Sequence, residues 1–301
     1  MSYIPMRRAK KTLALRLLIQ FIILLLLNAV LWDFDATWLV LPVNMPYSPY
    51  ASGVGAIYLL QRMLTATIIP FLAIAVFVII GSIFGRAFCA WGCPFGLVQD
   101  ILSLTPNNKY RPNRRTNSGL KETGQFFVIL GLGIAVYIGL AGIIGDIGEV
   151  KDAFGAFGEE PFAPLDPGAT LFGGLPYWAY WETFPGDFNE LIDFLPKMDI
   201  LLWVRLLILF FALILALFIP RGWCRWFCPT GLIMGMMAPN SILGVGRNIT
   251  RCTHCGDCER SCPMHVRILD YSGDRVRDSQ CINCLECMEI CPEDAIELRF
   301  M

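Results

Sequence analysis

Histidine is nearly absent from this 301-residue sequence: there are two, His254 and His265, both near the C-terminus. A haem clamped between histidines of membrane helices is therefore excluded. Charge is scarce as well. Charged residues make up 16% of the chain, against about 25% in ordinary soluble domains. The formal net charge is −1, so the basic footprint of a nucleic-acid partner is missing. Unpatterned cysteine is also lacking. All twelve cysteines fall inside short regular motifs, which leaves none for a disulfide framework. Such clustering fits metal binding in a reducing compartment.

What the sequence has in quantity is apolar length. Hydrophobic residues make up 55% of it and the mean hydropathy is +0.56. About 20 apolar residues are needed to cross ~30 Å of hydrocarbon as a helix. Four stretches qualify: residues 12–32, 65–85 with Pro70 inside, 125–145 and 200–219. The first is longer than the apolar part of a signal peptide, and no small-x-small cleavage site follows it, so it is expected to stay as a span. Arg7-Arg8 is not followed by residues that support a twin-arginine export signal.

Lysine and arginine near span ends set orientation. They gather before the first stretch (Arg7, Arg8, Lys10, Lys11), between the second and third (Lys109 to Lys121) and after the fourth (Arg221, Arg225, Arg247, Arg251). Residues 146–199 are acidic. Both termini are therefore expected on the cytoplasmic side of the inner membrane, with 146–199 as a long outer loop. Its aromatics (Phe172, Tyr177, Trp178, Tyr180, Trp181, Phe184) read first as an interfacial belt or a partner-docking face, and second as the lip of a quinone pocket.

The tail carries Cys252-x2-Cys255-x2-Cys258-x3-Cys262-Pro263, then Cys281-x2-Cys284-x2-Cys287-x3-Cys291-Pro292. This is the two-cluster bacterial ferredoxin spacing written twice, in which the fourth cysteine of each run serves the other cluster. Cys252, Cys255, Cys258 and Cys291 are expected to hold one 4Fe-4S cluster, and Cys281, Cys284, Cys287 and Cys262 the second. Zinc sites use paired cysteines across a longer gap, and the pattern does not fit them. His254 and His265 read as neighbours of the ligands. Residues 295–300 read as a closing strand.

A second motif occurs twice. Arg86-Ala-Phe-Cys89-Ala-Trp91-Gly-Cys93-Pro94-Phe-Gly96-Leu97 matches Arg221-Gly-Trp-Cys224-Arg-Trp226-Phe-Cys228-Pro229-Thr-Gly231-Leu232. Each follows an apolar stretch, so the chain reads as two parallel repeats about an axis along the membrane normal. That symmetry brings Cys89, Cys93, Cys224 and Cys228 to one depth on the cytoplasmic face. Three roles stay open for them: a third iron–sulfur cluster, thiol/disulfide pairs or a soft-metal site such as copper, or small buried structural side chains.

The fold class expected is an α-helical membrane protein. Residues 1–240 form a four-span bundle, and residues 241–301 form a small α+β two-cluster bacterial ferredoxin-like domain. The two CxxxCP motifs ahead of a two-cluster tail resemble the NapH family, related to the NosR and RdxA/CcoG membrane ferredoxins, over nearly the whole chain. The segment from Cys262-Pro-Met to Cys281-Ile-Asn-Cys284 also resembles that family's inter-cluster linker. The resemblance implies a membrane-bound quinol dehydrogenase component that passes electrons from the quinol pool to other redox subunits, whether iron–sulfur, flavin or cytochrome proteins. It carries over to the eight ferredoxin cysteines and to Cys89, Cys93, Cys224 and Cys228, and to no quinone-site residue. Its RdxA/CcoG branch implies the alternative of a metal-reducing assembly factor for a copper-containing oxidase. Reverse flow, from a soluble low-potential donor to quinone, is equally compatible with the motifs.

Proton acceptors near a quinone would come from Asp33, Asp35, Asp146, Glu149 or Asp199 at the outer ends of the spans, or Asp100 on the inner side. Ordinary capping is the simpler reading of each. Arg16, Arg62 and Arg205, in or beside spans, either snorkel or bind a quinone carbonyl.

Overall fold

The computed structural model describes residues 2–5, 9–27, 39–45, 53–105, 108–176 and 200–300. Asp33, Asp35 and Asp199, and the aromatic cluster from Tyr177 to Phe184, lie outside them. Among the described residues two helices are long and apolar enough to cross a membrane: α6, Arg114–Ile144, and α8, Ile200–Phe218. Helix α6 starts at Asn113, whose side chain accepts the Arg114 N–H, and a polar first third precedes its apolar run.

The first two apolar stretches take different forms. Helix α1, Lys10–Leu26, has 17 residues. The second stretch is not one helix. Helix α2, Ala56–Thr65, ends in a turn in which Thr67 has φ 60°. Helix α3, Phe71–Phe84, begins only after Pro70. Proline has no N–H to donate and clashes with a preceding turn, so it starts a helix more readily than it sits within one. At 14 residues α3 is about 21 Å long, short of the ~30 Å core.

Helix α1 is inside-out. Its buried residues are Leu13, Arg16 and Gln20. Leu15, Leu18, Phe21, Ile22 and Leu26 are exposed. Helices α3, α6 and α8 likewise turn large apolar side chains outward, among them Phe71, Ile129 and Phe210.

Residues 147–176 are not a loop held away from the bundle. Asp146 accepts the Gly148 N–H and caps α7, Ile147–Phe154. The following turns, residues 155–174, fold back between α6 and α8. Phe162 covers Gly131 of α6 so closely that a Cβ there would fall on its ring. Phe162 and Ala169 share a core with Tyr58 of α2, Phe77 of α3 and Leu232 and Met234 further on.

Each CxxxCP motif folds into a short helix followed by a longer one: α4, Ala87–Trp91, and α5, Pro94–Leu102; then α9, Gly222–Trp226, and α10, Pro229–Met237. Strand β1, Ser2–Pro5, pairs antiparallel with β4, Asn108–Arg111, and β2, Leu39–Leu41, pairs parallel with β3, Gly53–Gly55; the tail closes with an antiparallel ladder of β5, Leu243–Arg247, on β6, Ile296–Phe300. The short helices α11, Asp257–Ser261, and α12, Glu286–Ile290, lie inside that closure.

Candidate redox centre

In the tail the two cysteine runs adopt one backbone design. Left-handed φ occurs at His254, Gly256 and His265 in the first, and at Asn283, Leu285 and Asp294 in the second, at matching offsets. Each marks a tight turn, because φ above zero is costly for most residues but glycine, and the two runs repeat these turns in the same order. Cys258 and Cys287 sit in α11 and α12, and Cys262 and Cys291 follow them at the C-caps. The N–H of Val266 donates to Cys262 Sγ at 3.4 Å, and that of Ala295 to Cys291 Sγ at 3.3 Å, again at matching offsets.

One cavity is lined by Cys262, Cys281, Cys284 and Cys287, with an apolar wall that includes Val245, Met264 and Ile282. These are the four cysteines that the crossed spacing assigns to one cluster. Burial pushes the thiols of Cys262, Cys284 and Cys287 up, and that of Cys281 up to about 12. Four thiolates in such a place need a compact set of cations to hold them. A 4Fe-4S cubane fits this donor set and this dry wall, and it would supply a one-electron carrier there. Cys258 lies within electrostatic reach of Cys255, Cys252 and Cys287. Cys255 is exposed. Among the described residues no group of three or more His, Cys, Asp or Glu is drawn tightly enough to hold a single metal ion. His254 is exposed and His265 Nδ1 lies 3.2 Å from Arg225.

The four CxxxCP cysteines are all buried and close enough to feel one another's charge. Cys93 and Cys228 occupy N-caps, each followed by proline at the first helical position, where the missing N–H costs nothing. The motifs lock together by exchange. Arg86 Nη2 donates to the carbonyl of Cys224 at 2.8 Å, and Arg221 Nη1 donates to the carbonyl of Cys89. Gly96 and Gly231 make room: a Cβ on Gly96 would meet Cys89 O and Arg221, and one on Gly231 would meet Cys224 O and Arg86.

The thiols are not equivalent. Burial pushes Cys89 up, and Cys93 up to about 12. Cys224 is drawn down to about 7, because the Cys228 thiol donates to it, with further help from Arg221 and Gln99. The Gln99 Nε2–Sγ distance is 2.9 Å.

This centre abuts the tail. Cys89 and Ala90 belong to the same core as Cys284 and Cys287. Trp91 Nε1 donates to Asn283 O at 3.0 Å, inside the Cys281–Cys284 loop. Arg86 Nη1 donates to Ser279 O at 3.1 Å. Beneath lies a charge network that the sequence does not announce. Asp100 pairs with Arg16 at 2.9 Å and with Arg221 at 2.6 Å, Arg16 pairs with Glu286 at 2.9 Å, and all four side chains are fully buried. Arg16 therefore does not snorkel, and Asp100 is a counter-ion with no outlet to solvent. Arg62 lies near Glu159 and Glu160 at 3.6 and 3.7 Å. Glu149 sits in the first turn of α7, which buries no residue.

A family model described as a 4Fe-4S binding domain matches residues 65–113 and again 201–247, and one described as a 4Fe-4S dicluster domain matches residues 244–292. The chain carries 4Fe-4S binding domains and is homologous to NapH and YccM. The ferredoxin-type protein NapH of Haemophilus influenzae is 24% identical over 73% of this chain and 64% of its own length. YccM of Escherichia coli, named for electron transport, is 25% identical over 73% of this chain and 53% of its own, so the chain spans about half that relative. The tail is 35% identical over 48 residues to a ferredoxin of Methanothermococcus thermolithotrophicus, covering 77% of it. No solved structure matches.

Sequence patterns did not bring out Asp166. Its side chain accepts from Asn44 Nδ2 at 3.0 Å and from the Tyr58 hydroxyl, and all three residues are buried. The Asp-Pro-Gly run signals a helix cap, which Asp166 also forms, but nothing local points to Tyr58 or Asn44.

Proposed function

We propose that this protein is an integral-membrane electron carrier that takes electrons from a membrane quinol and hands them to a redox partner at the cytoplasmic face. The observation that carries this is the unbroken contact from the CxxxCP thiols, through Ala90 and Trp91, to the cavity of Cys262, Cys281, Cys284 and Cys287. Beyond it lie Cys258 and the exposed Cys255. Two 4Fe-4S clusters with the crossed ligand sets would complete the route. Quinol oxidation releases two electrons and two protons, and one-electron carriers in series divide the pair.

Four membrane passages in two parallel halves fit this role, the second of them broken into α2 and α3 at the turn before Pro70. The inverted face of α1 supports it, since buried Arg16 and Gln20 behind an exposed apolar face suit hydrocarbon better than water. The reciprocal Arg86 and Arg221 contacts support a two-fold relation between halves. The boundary near residue 240 separates the bundle from the ferredoxin-like tail in sequence, while shared packing makes them work as one.

The decisive experiment is quinol titration of anaerobically purified protein, followed by EPR, with iron counted. About eight irons per chain and quinol-dependent reduction are expected. Iron-free protein, or clusters reduced by dithionite and untouched by any quinol, would overturn the proposal.

A second reading rests on Cys224, whose lowered thiol beside Cys228 suits a soft metal or disulfide chemistry. Copper reduction that is lost in Cys224→Ser, in protein that ignores quinol, would favour an assembly role.

A further inference from the structure

Arg86 and Arg225, one from each CxxxCP motif, are each 1% exposed. Buried charges are normally paired. Arg16 and Arg221, equally buried, have Asp100 and Glu286. Among the described residues neither Arg86 nor Arg225 makes a salt bridge. Arg86 donates to the carbonyls of Cys224 and Ser279. Arg225 Nη2 donates to Pro263 O at 3.0 Å, and Nη1 lies 3.2 Å from His265 Nδ1. Asp278 is within electrostatic reach of Arg225, but its oxygens accept from the Tyr271 hydroxyl at 3.1 Å and the Gln280 N–H at 2.7 Å.

Both guanidiniums point to one place. Ser279 lies two residues before Cys281, and Pro263 directly follows Cys262. Arg86 is within electrostatic reach of Cys281, and Arg225 of Cys262. These two cysteines line the same cavity. The counterpart loop of the other run is different. Pro292, Glu293 and Asp294, which follow Cys291, are all exposed, and two of them are acidic. Arg260 lies near Cys255 and Cys258, but Asp257 neutralises it at 2.7 Å. One of the two pseudo-symmetric ligand sets thus faces unpaired buried cations, and the other faces solvent and acids.

We propose that Arg86 and Arg225 are the counter-ions of the inner cluster, held by Cys262, Cys281, Cys284 and Cys287, and set its reduction potential above that of the outer cluster, held by Cys252, Cys255, Cys258 and Cys291. The assignment rests on the two-cluster reading above and gives the CxxxCP motifs a task in it beyond their thiols. A 4Fe-4S cubane on four thiolates is an anion when oxidised and gains a further negative charge on reduction. A nearby guanidinium in a water-poor site stabilises the reduced form more than the oxidised one. Exposed acids do the reverse, weakly, because solvent screens them. The order of potentials holds for either direction of electron flow.

The test is a potentiometric EPR titration of the anaerobically purified full chain, with iron counted. Arg86→Gln and Arg225→Gln remove each charge, and Arg86→Lys and Arg225→Lys keep it. Cys255→Ser perturbs the outer cluster and so identifies the two signals. In wild-type protein the inner midpoint is expected above the outer one. Each Gln variant is expected to make the inner cluster about tenfold harder to reduce, a fall of ~59 mV for one electron, with the outer midpoint unchanged. Each Lys variant is expected to restore most of that fall. Arginines that merely staple the tail to the bundle would leave the midpoint where it is. Gln variants with the wild-type inner midpoint, or with both midpoints shifted equally, overturn the proposal. Should a Gln variant lose its iron, the wild-type order decides, and an inner midpoint at or below the outer one overturns the proposal. Iron-free wild-type protein overturns the two-cluster reading itself. Clusters in the expected order that ignore quinol overturn the quinol role and leave this inference standing.

Discussion

Arg221 grips Asp100 by two contacts, Nε to Oδ1 at 3.0 Å and Nη2 to Oδ2 at 2.6 Å, with both side chains sealed from solvent. The same carboxylate serves Arg16, and Arg16 reaches Glu286 in the tail. One acid thus ties the first apolar helix, the second CxxxCP motif and the cluster-binding tail together. Removing one partner of a buried pair strands the other charge, at a cost of about 3–5 kcal/mol. Asp100→Ala strands Arg221 and leaves Arg16 with Glu286 as its one carboxylate. The expected outcome is loss of folded, iron-loaded protein from membranes, checked by detergent extraction and iron-to-protein ratio. Wild-type yield and iron content would show the network to be incidental.

Iron should hold the tail together. Its two strands and short helices enclose a small apolar core in which cysteines line a cavity, and small metallo-domains take much of their folding free energy from ligation. Cys287→Ser is expected to lower iron by about four per chain and to open residues 252–291 to protease. Stripping iron from wild-type protein with a chelator under reducing conditions should expose the same segment. Protection unchanged in both cases would mean the tail folds without its clusters.

The exchanged arginines depend on two glycines. A methyl group on Gly231 meets Arg86 Nη2 and Cys224 O, and on Gly96 it meets Cys89 O and Arg221 Nη2. Overpacking of this kind costs about 1–3 kcal/mol. Gly96→Ala and Gly231→Ala should each lower the thermal midpoint and make the buried CxxxCP thiols easier to alkylate. Alkylation at the wild-type rate would argue against the exchange.

Glu160 offers a pH test. Burial raises its carboxyl to about 7, against the partial relief of Arg62. A proton is therefore held more tightly in the folded state, so this group favours folding below pH ~4.5 and progressively disfavours it as pH rises towards 7. Glu160→Gln is expected to raise the thermal midpoint at pH 8 and to change it little at pH 4. An equal shift at both values would place the effect in packing rather than in titration.

Cysteine spacing was legible in the sequence because loops of two and three residues leave a chain few ways to wrap a small object. One cavity is lined by Cys262, Cys281, Cys284 and Cys287; their joint ligation of a cluster is part of the proposal. The closing strand was legible too, as β6. Pro70 was seen inside an apolar stretch, yet its effect on helix length was not. Hydropathy counts side chains and is blind to one missing N–H.

What the sequence alone determined is therefore local: the donor atoms, their order and the apolar runs that follow from composition. Tertiary structure decided what those pieces face. Tyr58 and Asp166 are 108 positions apart, and Arg86 and Cys224 are 138 apart. No periodicity reaches across such distances. Whether a buried charge finds its partner, and whether an acidic loop stays outside or folds back to make a wall, depends on the desolvation of polar groups among specific neighbours. Only the packed chain supplies those neighbours.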